Sequence, residues 1–181
     1  MMRCKGEHTM KGNWNNITLI GMPAAGKSTV GVLLAKRLGY QFIDTDLVIQ
    51  HEEGRLLKEI IATEGLEGFM AVENRVNSQV KGGRAIIAPG GSVIYGKEAM
   101  EHLSEIGTIV YLKLSYEQLE KRLGNLVDRG VVLRKGMTLR DLYEERVPLY
   151  EKYADITIDE SGKNSGDVVD QLRKMVESCI L

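Results

Sequence analysis

The 181-residue chain has no excess of charge of either sign: 24 lysines and arginines face 25 aspartates and glutamates. That balance leaves no basic footprint for nucleic acid or an anionic membrane surface. Cysteine is scarce. Cys4 and Cys179 lie at opposite ends, so there is no disulfide framework and a reducing compartment is expected. No apolar run approaches the roughly 20 residues that a membrane-spanning helix needs. The polar stretch from Met1 to Asn13 lacks the apolar centre of a secretory signal. It is expected to be a disordered extension, with Met10 an alternative start, and the cytoplasm is the expected location. Repeats, low-complexity tracts and interdomain linkers are missing too, so residues 14–181 are expected to form one domain with a sizeable core. His8, His51 and His102 have no neighbours in sequence that would make a metal site, and the lone Trp14 reads as packing beside the first strand.

What the chain does have is Gly21-Met-Pro-Ala-Ala-Gly-Lys-Ser-Thr29. Two glycines bracket four residues, and a lysine and a serine follow at once, which is the spacing of a phosphate-binding loop. Each residue type has a task. The glycines let successive backbone N–H groups turn inward toward phosphate oxygens. Lys27 is a flexible point charge for the terminal phosphates, and Ser28 offers a hydroxyl to Mg²⁺. Ala24, Ala25, Gly26, Lys27, Ser28 and Thr29 are therefore the expected ATP-binding residues. The flanks fit: Asn16–Ile20 is an apolar, β-branched run, and Val30, Leu33, Leu34 and Leu38 recur at helical spacing until Gly39.

Further strands are expected at 40–44, 84–88, 108–112 and 156–158. Helices are expected at 47–53, 56–62, 69–80, 97–106, 116–123, 139–153 (with a kink at Pro148) and 168–180, residues 64–68 separating the third from the fourth. Strands alternating with helices imply an α/β fold, a parallel sheet covered on both faces. Gly21, Asp44, Asp46 and Gly90 then follow strand C-termini and gather at one crevice. Asp44 and Asp46, if still extended, point to one side. Asp44 is then a carboxylate for Mg²⁺ and Asp46 an acceptor, and base, for a substrate hydroxyl; the alternative is a helix cap. Residues 125–137, polar and carrying Arg129 and Arg134, suit a water-excluding lid as against an ordinary loop.

From Asn16 to Asp159 the chain resembles the shikimate kinase family, through the loop at 21–29, Asp44-Thr-Asp46, Gly90-Gly91, Arg122, Arg129 and Arg146-Val-Pro-Leu-Tyr150. The resemblance implies a three-layer, five-stranded parallel sheet and ATP-dependent phosphorylation of the 3-hydroxyl of shikimate. It implies Lys27 and Arg129 on the migrating phosphoryl group, Arg129 being on the lid. It places Ser28 and Asp44 at Mg²⁺, Arg122 against adenine, and Asp46 on the substrate hydroxyls. Gly91 meets substrate through its backbone, with Gly90 beside it; Ser92 departs from the family by replacing the third glycine of this turn, as ligand hydroxyl or helix cap. Arg146 pairs with the substrate carboxylate; the residues alone equally allow a surface pair with Glu145 or Asp141.

One departure stands out. In Gly65-Leu-Glu-Gly-Phe69-Met70-Ala-Val-Glu73, Phe69 and Glu73 match the family, but Met70 occupies the place of an arginine that clamps the carboxylate. Such a contact is worth about 1.5–3 kcal/mol, so Met70 raises a kinase for another small hydroxylated metabolite as the alternative. A nucleotide-binding regulator without transfer activity is the further one. The expected partner is a small-molecule hydroxyl acceptor, with no nucleic acid and no membrane, and the protein is expected to be a monomer.

Overall fold

The computed structural model describes residues 13–123, 134 and 136–180. The apolar runs become strands because they are covered on both faces. β1 (Asn16–Ile20) and β3 (Ala85–Ala88) are buried at every position, and β4 (Thr108–Lys113) at all but the last. β2 (Gln41–Asp44) and β5 (Ile156–Asp159) are more exposed and form the edges. The order is β2-β3-β1-β4-β5, with every pair parallel. This is the expected five-stranded parallel sheet. From β1 the chain runs to β2 on one side, whereas from β3 it crosses to β4 on the other, and ligands bind at such a switch point.

The helices are α1 (Lys27–Leu38), α2 (Thr45–Glu53), α3 (Leu57–Asn77), α4 (Lys97–Ile106), α5 (Tyr116–Leu123), α6 (Leu139–Tyr153) and α7 (Ser165–Ile180). α1 packs against α7, and α3 against α2 and α4. Three of the differences from the sequence expectation have a local reason. α2 starts at Thr45 because the Asp44 side chain accepts from the Asp46 N–H. α7 starts at Ser165, where Asn164 and Asp167 exchange side-chain-to-backbone hydrogen bonds. The expected break at 64–68 narrows to Gly65 alone, whose φ of 72° and ψ of −177° interrupt an otherwise continuous α3. Pro148 lies inside α6, which runs unbroken to Tyr153. A single 3₁₀ turn at Val93–Tyr95 was not expected from the pattern.

Most buried side chains, Trp14 among them, join one core around the sheet. A second, small cluster of Ile49, Ile60, Phe69 and Val76 joins α2 to α3. Among the described residues, no helix is long and apolar enough to cross a membrane. His102 bonds through Nε2 to the Val80 carbonyl, and no group of three His, Cys, Asp or Glu side chains among the described residues could hold a metal. The expected extension, apart from Asn13, and Arg129 lie outside the described residues, as does most of the expected lid.

Candidate active site

The loop after β1 carries its strain locally. Gly26 takes φ 79°, and Ala24, which has a Cβ, takes φ 62°. A left-handed alanine costs about 1–2 kcal/mol, held here where amides must turn toward a ligand. α1 starts at Lys27 with no side-chain cap on its first turn, so its leading N–H groups stay available to an anion. Lys27 Nζ donates to the Gly21 and Met22 carbonyls at 2.9 and 3.1 Å. Burial pushes its pKa down to about 8, against the pull of the Asp46 carboxylate. Ser28 Oγ donates to Asp44 Oδ2 at 3.1 Å, so the two expected metal ligands are already neighbours.

The acidic pair differs from its expected geometry. Asp44 is the cap of α2, and Asp46 lies in its first helical turn, so strand alternation is not what aligns them. Asp44 serves both as cap and as partner of Ser28, because its two oxygens point to different donors. Asp46 Oδ1 is buried and has no hydrogen-bond partner among the described residues. Burial raises the Asp46 pKa, as does Asp44, while Lys27 opposes the shift.

A third carboxyl, Glu73 on α3, joins them. The sequence marked it as a pattern residue without giving it a role; its signal was its place one helical turn from Met70. It is 1% exposed and accepts from Ser92 Oγ at 2.5 Å, and its Oε1 has no hydrogen-bond partner among the described residues. A methyl group built on Gly90 would collide with Glu73 Oε1 and come 3.1 Å from Asp46 Oδ1. Only glycine allows both acids to converge on that backbone position. Burial pushes the Glu73 pKa up to about 7, the Ser92 hydrogen bond opposing and Asp46 adding to the shift. The folded state thus keeps a proton that the unfolded chain releases near 4.5. Folding binds that proton between the two values, so stability falls as pH rises through that window. Glu73→Gln should flatten this decline, read as thermal midpoints measured from about pH 4.5 to 7.

Arg146 is buried, at 7% exposure, and is not the surface residue that a pair with Glu145 or Asp141 would make it. Asp141 caps Thr138, and Glu145 binds Arg134 and the Tyr95 hydroxyl. Arg146 Nε donates to Tyr95 Oη at 3.3 Å, its Nη1 lies beside Gly91, and no carboxylate among the described residues forms an ion pair with it. Tyr150 steadies the same turn by donating to the Gly91 carbonyl at 2.6 Å. Tyr95 and Tyr150 carried no local signal of this, since both act across the fold.

Lys27, Ser28, Asp44, Asp46, Glu73, Gly90, Gly91, Ser92 and Arg146 share one cavity of about 1080 Å³, with Ala24, Gly26 and Thr29 at its loop end. Ala25 is buried under the loop. Met70 lies in a small adjoining cavity with Arg146 instead. Arg122 bonds Glu160 at 2.7 Å and the Ala24 carbonyl at 3.3 Å, tying the end of β5 to the loop. Glu160, 3% exposed, was missed for lack of any local pattern.

A parallel sheet with a phosphate loop at its switch point, facing a pocket of three carboxyl groups and one buried arginine, defines an ATP-dependent kinase of small molecules. The shikimate kinase family profile matches residues 23–177. The shikimate kinase of Vibrio cholerae is 36% identical over 169 residues, covering 92% of this chain and 97% of that protein. Shikimate kinase from Acinetobacter baumannii, solved with shikimate, aligns with a TM-score of 0.79 at 31% identity over 91% of this chain and 94% of that one. The Aquifex aeolicus shikimate kinase gives 0.76 at 30% identity, over 92% and 98%. The chain belongs to the shikimate kinase family. That membership favours neither of the two alternatives, a kinase for a different metabolite or an inactive regulator.

Proposed function

We propose that the protein transfers the γ-phosphoryl group of ATP to the 3-hydroxyl of shikimate. The observation carrying this is Arg146: a buried guanidinium with no carboxylate ion pair among the described residues, in the same cavity as Lys27 and as Asp46, whose buried Oδ1 has no hydrogen-bond partner among them. A buried cation needs an anion, and a carboxylate on the acceptor supplies one. With that carboxylate at Arg146, the acceptor ring lies over Gly90 and Gly91, and its hydroxyls reach Asp46. Ser92 orients Glu73 at the rim of this subsite.

ATP lies along the amides of residues 24–29, with adenine toward Arg122. Asp46 accepts a hydrogen bond from the attacking hydroxyl and takes its proton as the new P–O bond forms. The bridging oxygen to the γ-phosphorus departs with ADP, and Lys27 spreads its charge over the phosphates in transit. Phosphoryl transfer asks for positioning and charge neutralisation above all. Ser28 and Asp44, one hydroxyl and one carboxylate in contact, fit the sparse protein ligation of Mg²⁺ and would hold the ion, which would supply charge neutralisation for the phosphates. Arg129, outside the described residues, is given the role of a second cation by the family resemblance alone.

An ADP-release assay comparing shikimate, quinate, homoserine and gluconate tests the acceptor. Shikimate is expected to give a kcat/KM more than about tenfold above the others. Another acceptor exceeding shikimate by a similar margin would defeat the assignment.

A further inference from the structure

The small cavity beside the main one shares Leu66 and Arg146 with it and is otherwise walled by Met70, Tyr95, Arg134 and their neighbours. Its wall thus holds two guanidiniums, and both rest on one aromatic ring. Arg134 lies 5.7 Å and Arg146 5.4 Å from the Tyr95 ring centre. The Tyr95 hydroxyl fixes this arrangement by donating to Glu145 while accepting from Arg146 Nε. Two like charges on one ring repel. The only counter-charge bonded to either among the described residues is Glu145, 3.2 Å from Arg134 Nη1. That pair is open to solvent, Arg134 being 49% exposed, and an exposed pair binds weakly. Met70 adds no charge to the cavity.

The geometry points to Arg134 as a second guanidinium for the acceptor's carboxylate, sharing it with Arg146 across Tyr95. This rests on the shikimate assignment above. A carboxylate has lone pairs for two guanidiniums, and a planar fork that Tyr95 already orients loses little freedom on binding it. Glu145 then acts as a placeholder that keeps Arg134 near Tyr95 until the anion arrives. Arg134 is a specificity-determining residue in this role, not part of the transfer chemistry.

The test is initial-rate kinetics at saturating ATP on shikimate and on its methyl ester, in which the carboxylate charge is removed. Arg134→Ala should raise the KM for shikimate roughly tenfold, more than it changes kcat or the KM for ATP, and should raise the KM for the ester far less. Arg134→Lys, with charge but no fork, should fall between. Adding Met70→Arg to Arg134→Ala should recover part of the loss, because it returns a guanidinium to the same cavity. Should the alanine variant fail to fold, Arg134→Gln carries the same expectation. An unchanged KM for shikimate, an equal rise for the ester, or a larger rise for ATP overturns the role of Arg134. Wild-type protein that ignored shikimate would instead overturn the acceptor assignment, so the two failures are told apart.

Discussion

Lys27→Ala is expected to lower kcat by roughly 10²–10³-fold, the usual cost of removing one preorganised donor from a developing anionic charge. The lysine is held for this work. Its ammonium is partly buried and hydrogen-bonded to two carbonyls of the loop itself, so its place in the loop is set before ATP arrives. Desolvation has brought its pKa to about 8, so the site already bears an energetic cost for a charge it keeps. Removing the side chain gives up two hydrogen bonds but also relieves that burial penalty. The thermal midpoint should therefore move little while turnover collapses. Steady-state rates alongside a calorimetric scan check both halves, and near-normal kcat would remove Lys27 from the transfer step.

Asp46→Asn should cut kcat by about 10²–10⁴-fold, the span associated with a positioned proton acceptor. ATP affinity should stay near its original value, because Asp46 faces Gly90 and Glu73 and is not among the loop residues. The substitution is clean for a reason visible in the fold. The cap of α2 is the Asp44 side chain, and Asp46 contributes only its backbone N–H to that bond, so an amide at position 46 leaves the helix start intact. The asparagine keeps the shape and loses the charge and the basic oxygen. Rapid-mix turnover with ATP binding followed by fluorescence separates the two effects. Full activity would mean that another group receives the hydroxyl proton.

The phosphate loop and the sheet could be read from the sequence because both are written in contiguous residues. The loop is a fixed string, and the inner strands are unbroken apolar runs that only two-sided burial explains. Asp46 was legible as chemistry but not as geometry: two aspartates two apart look alike on a strand and on a helix cap, and the capping hydrogen bond decided between them. Arg146 was undecidable locally, since its neighbours Asp141 and Glu145 offered surface partners that the fold commits elsewhere. Glu73, Tyr95 and Glu160 act through contacts 19 to 51 residues away in sequence. No periodicity encodes such distances. Gly65 shows the reverse case, where an apparent five-residue gap between helices shrinks to one backbone pivot.

The small cluster of Ile49, Ile60, Phe69 and Val76 has a bearing on how the protein tolerates change. Phe69 also forms part of the main cavity wall, so that wall leans on this handful of aliphatic and aromatic groups rather than on the larger core around the strands. Trimming that buttress is expected to reshape one wall of the cavity while leaving the phosphate loop and the foundation beneath it undisturbed.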